Sequence, residues 1–112
     1  MLKKALSTAA IVAIAWAPSG AFAQTATYYA DYFNGRRTAS GEIFSNWGAN
    51  TAAHPYYRFG TWLRVTNRNN GRSVDVRVND RCNCSIDLSK AAASQIGLLR
   101  SGVAPVSIQV LN

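Results

Sequence analysis

The chain has 112 residues, with 12 Lys and Arg against 5 Asp and Glu for a formal net charge of +7, two cysteines and one histidine. That length excludes two domains and leaves room for one modest core, and so few cysteines exclude a disulfide-built scaffold. No metal site is expected, since two thiolates need two further ligands and His54 is the sole histidine.

Lys3 and Lys4 precede an apolar run over residues 9–17, and Ala21-Phe22-Ala23 closes the segment with small residues at its outer positions. This pattern predicts a secretory signal peptide over residues 1–23, cleaved before Gln24. The run is well short of the ~20 apolar residues of a spanning helix. No cysteine stands at the cleavage site to take a lipid, so no stable membrane insertion is expected after signal cleavage. The exported chain, residues 24–112, keeps ten basic and five acidic side chains, a net +5 dominated by arginine. Such a balance suits an anionic partner, a cell-wall polymer or a membrane surface, and a periplasmic or secreted location disfavours nucleic acid.

Residues 27–33 form a β-prone aromatic segment that the Asn34-Gly35 turn preference ends. A small-residue loop carries Thr38-Ala39-Ser40-Gly41-Glu42 to Phe44 and Trp47, followed by Thr51-Ala52-Ala53-His54-Pro55 and a cluster of Tyr56, Tyr57 and Phe59. Residues 62–67 read as a strand and Asn69-Asn70-Gly71 as a hairpin turn. In the next strand Val74, Val76 and Val78 alternate with Asp75, Arg77 and Asn79, giving one apolar and one polar face. Asp80 follows that strand, and Asp87 stands just before a helix-start signal at Ser89. Two carboxylates seven positions apart, one leaving a strand and one entering a helix, can face the same cleft. Between them, Cys82 and Cys84 can bond to each other only if the backbone turns sharply; so small a ring would shape the loop rather than hold the fold. Residues 89–99 give the one helix, capped by Ser89 and with Gly97 as an end or weak point. Val106, Ile108 and Val110 alternate in a final strand, with Pro105 at its start. Many short strands and one short helix predict a mainly β chain built as a small barrel.

Several stretches together carry a resemblance: Tyr28-Tyr29-Ala30-Asp31-Tyr32-Phe33-Asn34-Gly35, Thr38-Ala39-Ser40-Gly41-Glu42-Ile43-Phe44, Thr51-Ala52-Ala53-His54-Pro55, Val76-Arg77-Val78-Asn79-Asp80-Arg81 and Ile86-Asp87-Leu88-Ser89. In this order they resemble the rare lipoprotein A family over nearly the whole of residues 24–112. The resemblance implies a six-stranded double-psi β-barrel and, in members that are enzymes, lytic transglycosylase action on peptidoglycan glycan strands, with no cofactor. That reaction breaks the bond between N-acetylmuramic acid and N-acetylglucosamine without water and leaves a 1,6-anhydro sugar. The chain departs from the family in its short Cys82-Asn83-Cys84-Ser85 connection, and its Asp-x-Cys arrangement also resembles expansin and barwin barrels. The alternative is therefore a non-catalytic, expansin-like module that binds wall glycan without cutting it.

Cleaving a glycosidic bond needs an acid for the leaving oxygen, and a transglycosylase can manage with one acid that later works as a base, because the sugar's own 6-hydroxyl replaces water. Asp80 is the leading candidate, at the strand end where the related barrels place a catalytic aspartate; the same residue type also fixes turns. Asp87 is the competing acid. Glu42 and His54 match family positions lining the groove, where they would orient the acid or bind sugar hydroxyls. Trp47, Tyr56 and Tyr57 are loop aromatics able to offer flat faces to pyranose rings. Arg77 and Arg81 suit carboxylates of the wall glycan, and Arg81 beside Asp80 would also favour that aspartate's charged form.

Overall fold

Apolar and polar residues alternate along most strands of this chain, and alternation lets a sheet curl until its apolar face closes on itself. The computed structural model describes residues 24–112; the expected signal peptide, residues 1–23, lies outside the described residues. Six strands, β1 (Gln24–Tyr28), β2 (Thr51–Ala53), β3 (Trp62–Asn67), β4 (Ser73–Asp80), β5 (Ile86–Leu88) and β6 (Ala104–Val110), close into a barrel in the order β1-β5-β2-β4-β3-β6. Two pairs, β1 with β5 and β2 with β4, are parallel; the other four are antiparallel. The closed six-stranded barrel agrees with the double-psi expectation.

The barrel interior is filled by Leu63, Val65, Val76, Val78, Ile86, Leu88 and Val106, all fully buried, with Ala26, Ala52 and Ala104 where strands approach closely. Burial of each large aliphatic side chain is worth roughly 1.5–3 kcal/mol. A second, smaller cluster of Tyr29, Phe44 and Ala53, with Cys82 against it, lies apart from this core.

Three local features differ from the sequence reading. The aromatic segment is strand only as far as Tyr28; residues Asp31–Phe33 form a 3-10 turn, because Asp31 accepts from the Asn46 amide and the Lys90 ammonium and draws the chain away from the sheet. Asp87 lies within β5 and does not lead directly into a helix, while Ser89 caps α1 (Lys90–Gln95) by accepting from the Ala92 N–H. In place of one short helix there are two among the described residues, α1 and α2 (Leu98–Ser101), broken at Gly97, whose φ of +73° lies in the left-handed region. The break is pinned from outside. Asn67 and Asn70, at the end of β3 and in the β3–β4 turn, both donate side-chain amides to the Ile96 carbonyl. A Cβ at Gly97 would also sit only 3.0 Å from the Asn70 amide nitrogen.

Candidate functional site

The register of three neighbouring strands brings the two predicted aspartates together. Ala53 of β2 lies opposite Asp80 of β4 on one side and opposite Asp87 of β5 on the other, and Thr27 of β1 lies opposite Asp87. Residues in register share a face, so Asp80, Asp87 and Thr27 all stand on the outside of the barrel, the aspartate Cα atoms two strand spacings or about 10 Å apart. A register shift between Ala52 and Ala53 accommodates the extra residue that sets Asp80 on this face.

Asp80 is held by three donors. Its Oδ1 accepts the N–H groups of Ala39 (2.8 Å) and Arg81 (2.9 Å), and its Oδ2 accepts the Tyr29 hydroxyl (2.6 Å). Tyr29 is buried and stacks on Phe44 at 4.2 Å. Burial, then the hydrogen bond to Asp80 and the charges of Asp80 and Asp87, push its hydroxyl well above the usual phenol range, so it remains a donor. Asp87 is half-buried and accepts the Thr27 hydroxyl at 3.0 Å. Burial raises its carboxyl above the ordinary aspartate value, the Thr27 bond opposes this, and the Asp80 charge adds to it. Among the described residues neither aspartate takes part in an ion pair; the pairs found are Arg64–Asp75, Arg77–Glu42 and Lys90–Asp31.

Because the folded state favours protonated Asp87, ionising it costs stability, a burden absent in acid and growing as pH rises above the ordinary aspartate value. Asp87→Asn keeps the oxygen that Thr27 contacts. It is expected to raise the melting temperature at pH 7 by a few degrees and to give no gain at pH 3, measured by thermal unfolding at the two pH values.

The other predicted residues fall into distinct settings. Glu42 is locked by both terminal nitrogens of Arg77 (3.1 and 2.7 Å) and by the Asn79 amide (2.8 Å), and Arg77 followed by Asn79 holds its carboxyl below the usual range. Ser40 N–H bonds to the Asn79 carbonyl, so this lock fastens the 38–42 loop that presents the Ala39 N–H to Asp80. His54 is 3% exposed, and its Nδ1 accepts the N–H groups of Tyr56 (3.2 Å) and Tyr57 (3.3 Å), which puts the proton of the neutral ring on Nε2. Burial and then the Arg81 charge lower its pKa to about 4. Its backbone N–H bonds to the Asp80 carbonyl at 3.1 Å.

Arg81 does not pair with the Asp80 carboxylate. Its guanidinium donates to the His54 carbonyl and lies 4.2 Å from the centre of the Phe59 ring. Tyr56 is exposed, and Tyr57, half-buried, stacks on His54. Trp47 is exposed near the Lys90 ammonium, and among the described residues no contact joins it to Asp80 or Asp87. Cys82 and Cys84 form a disulfide with Cα atoms 5.2 Å apart, in the loop directly after Asp80.

The sequence reading missed two positions. Tyr29 stood among many aromatics without a sign that it reaches Asp80. Asn46 is fully buried, donates to the Tyr29 carbonyl and to Asp31, and accepts the Lys90 N–H, so it fixes the entry of the Tyr29 segment and the start of α1 together. Its place between Phe44 and Trp47 resembled any polar loop residue.

Residues 21–108 match the family model described as lytic transglycolase. The chain belongs to that family. A relative from Synechocystis, named as an uncharacterized protein, is 55% identical over 86 residues, covering 77% of this chain and 94% of its own length. A probable endolytic peptidoglycan transglycosylase RlpA from Treponema pallidum is 55% identical over 87 residues, covering 74% of this chain and 27% of the relative. This chain therefore spans about a quarter of that transglycosylase. Among solved structures, the Streptomyces papain inhibitor superposes with a TM-score of 0.67 at 26% identity, over 80% of this chain and 93% of the inhibitor. An expansin from Clavibacter michiganensis gives a TM-score of 0.61 at 25% identity, over 80% and 49% of the two chains.

Proposed function

We propose that the chain is an exported lytic transglycosylase that cleaves the bond between N-acetylmuramic acid and N-acetylglucosamine in peptidoglycan, forming 1,6-anhydro-N-acetylmuramic acid. The observation that carries this reading is the pair of aspartates flanking Ala53, free of ion pairs, with Asp87 biased toward its neutral form. Family membership and the transglycosylase named among the relatives support it.

The arrangement suits a single proton shuttle on Asp80. Two backbone N–H groups occupy Oδ1, so the transferable proton belongs on Oδ2. Protonated Asp80 gives that proton to the glycosidic oxygen as the bond to C1 breaks. The 6-hydroxyl of the same muramic acid then closes on C1 and returns its proton to Asp80, so no water is consumed. Tyr29 stays protonated and supports the Oδ2 charge between the two transfers. Burial shifts the Asp87 carboxyl toward its neutral form, which lessens the negative charge beside Asp80. Glu42 and His54 serve this site by holding the backbone around Asp80; Tyr57 stacked on His54 and Arg81 over Phe59 brace that support, and the exposed Trp47 and Tyr56 are left to offer a ring to the glycan. Tyr29→Phe is expected to lower kcat on peptide-stripped strands roughly tenfold, about the worth of one hydrogen bond to a charged group, with little change in KM.

The second reading, an expansin-like binding module, draws on the same three donors, which hold Asp80 as a fixed acceptor. Incubation of the purified protein with intact and peptide-stripped sacculi separates the two. Soluble fragments with anhydro ends are expected. Protein that sediments with sacculi and releases nothing would favour the binding module.

A further inference from the structure

We infer that the depression beside Trp62 is a second saccharide subsite, holding an N-acetylhexosamine ring of the glycan strand away from the bond being cut. The inference rests on the glycan-cleaving reading above and adds where the rest of the strand lies.

Most exposed aromatic rings of the barrel already have a partner. Arg36 covers Tyr32 at 4.0 Å, Arg81 covers Phe59 at 4.2 Å, and Tyr56 packs edge-on against His54. Trp62 is 40% exposed, and among the described residues no ring or cation is stacked on it. It borders an open depression of about 470 Å³ walled by Asn50, Arg64, Asp75 and Gln95, within the size range of small-molecule sites.

The lining suits a neutral, hydroxyl-rich ring. Arg64 and Asp75 cancel each other in a two-bond pair of 2.8 and 3.1 Å, so the floor has no net charge to attract an anion. Gln95 donates to the Asn50 side-chain oxygen at 2.9 Å and to the Ala91 carbonyl. That leaves the Asn50 amide N–H groups as donors and the Gln95 side-chain oxygen as an acceptor, the two functions an N-acetyl group needs. A flat indole with amide donors and acceptors at its edge is the composition that holds a pyranose: the ring's C–H face on the indole, its polar edge on the amides.

The depression lies on the same outer face as Asp80. Trp62 of β3 is in register with Arg77 of β4, three residues before Asp80. The offset is about 10 Å along β4 and one strand spacing across, more than one sugar ring spans. A ring on Trp62 and the bond at Asp80 thus belong to one strand without being neighbours, and a disaccharide is too short to reach both. Between them stands the Arg77–Glu42 pair.

The test compares the wild type with Trp62→Ala and Trp62→Phe on long peptide-stripped strands and on the single muramic acid–glucosamine disaccharide, with kcat and KM separated. Thermal melting checks that each variant is folded. Trp62→Ala is expected to raise KM on long strands roughly three- to tenfold, the range of an aromatic stacking contact, with kcat unchanged. Trp62→Phe should fall between, and the disaccharide should not distinguish the three proteins. Unchanged KM on long strands, or an equal loss on both substrates, would overturn the subsite. If the wild type turns over neither substrate, the cleavage reading fails and binding of chitohexaose, followed by calorimetry, decides the subsite alone: weaker binding by Trp62→Ala supports it, and equal binding overturns it.

Discussion

Asp80→Asn is expected to lower the rate of glycan cleavage by a factor on the order of 10²–10⁴, the contribution of a positioned acid and base, while sedimentation with sacculi stays intact. The substitution preserves shape. An asparagine oxygen can still accept from the Ala39 and Arg81 N–H groups, and the Tyr29 hydroxyl can turn to accept from the new amide. Stability should therefore change by no more than about 1 kcal/mol, which thermal unfolding checks. A variant that stays folded and keeps more than a tenth of wild-type activity would remove Asp80 from the chemistry and move attention to Asp87.

The second large effect is on stability in acid, and its origin is His54. The ring is buried and its Nδ1 is committed to two backbone donors, so the folded protein resists protonation down to about pH 4, whereas an unfolded histidine takes its proton near 6.5. A depressed folded value means that the stabilisation is complete above about pH 6.5 and is lost as pH falls through the window to 4. The full span is worth at most about 3 kcal/mol. Denaturant unfolding between pH 7.5 and 4 should show that decline. His54→Asn retains an acceptor where Nδ1 stood and cannot be protonated, so its profile should lack this limb; at pH 7.5 it should be less stable by roughly 1–3 kcal/mol through loss of the ring stacked on Tyr57. A wild-type decline that persists unchanged in the variant would place the acid sensitivity elsewhere. Asp87 works in the opposite direction, its burden growing as pH rises above the ordinary aspartate value.

Much of this architecture could be read from residue order because alternation and turn chemistry are local. The strand over residues 62–67, the Asn70-Gly71 turn, the strand leading to Asp80 and the Ser89 cap all appear where side-chain type alone put them. β2 and β5 could not be read so. Each is three residues long, Thr51–Ala53 and Ile86–Leu88, too short for a period to register, and each exists because neighbours on both sides supply its hydrogen bonds. The same two strands bring Asp80 and Asp87 to either side of Ala53, so the meeting of the carboxylates depended on pairings that no local pattern encodes. Arg81 carried a different lesson. Its neighbour in sequence is Asp80, but the chain leaves β4 at that aspartate, and the guanidinium found the His54 carbonyl and the Phe59 ring instead. The helix break required tertiary information too: Gly97 marks a weak point, but only Asn67 and Asn70 bonding to the Ile96 carbonyl make it a break.

In the proposed reaction the sugar's own hydroxyl, and not water, takes the place of the leaving group. Digestion of peptide-stripped glycan by the purified protein in water enriched in oxygen-18, with fragments weighed by mass spectrometry, tests it directly. Fragments that end in anhydro-muramic acid and carry no heavy oxygen are expected. Reducing ends labelled with oxygen-18 would contradict it and make the chain a hydrolase that uses the two aspartates as a pair.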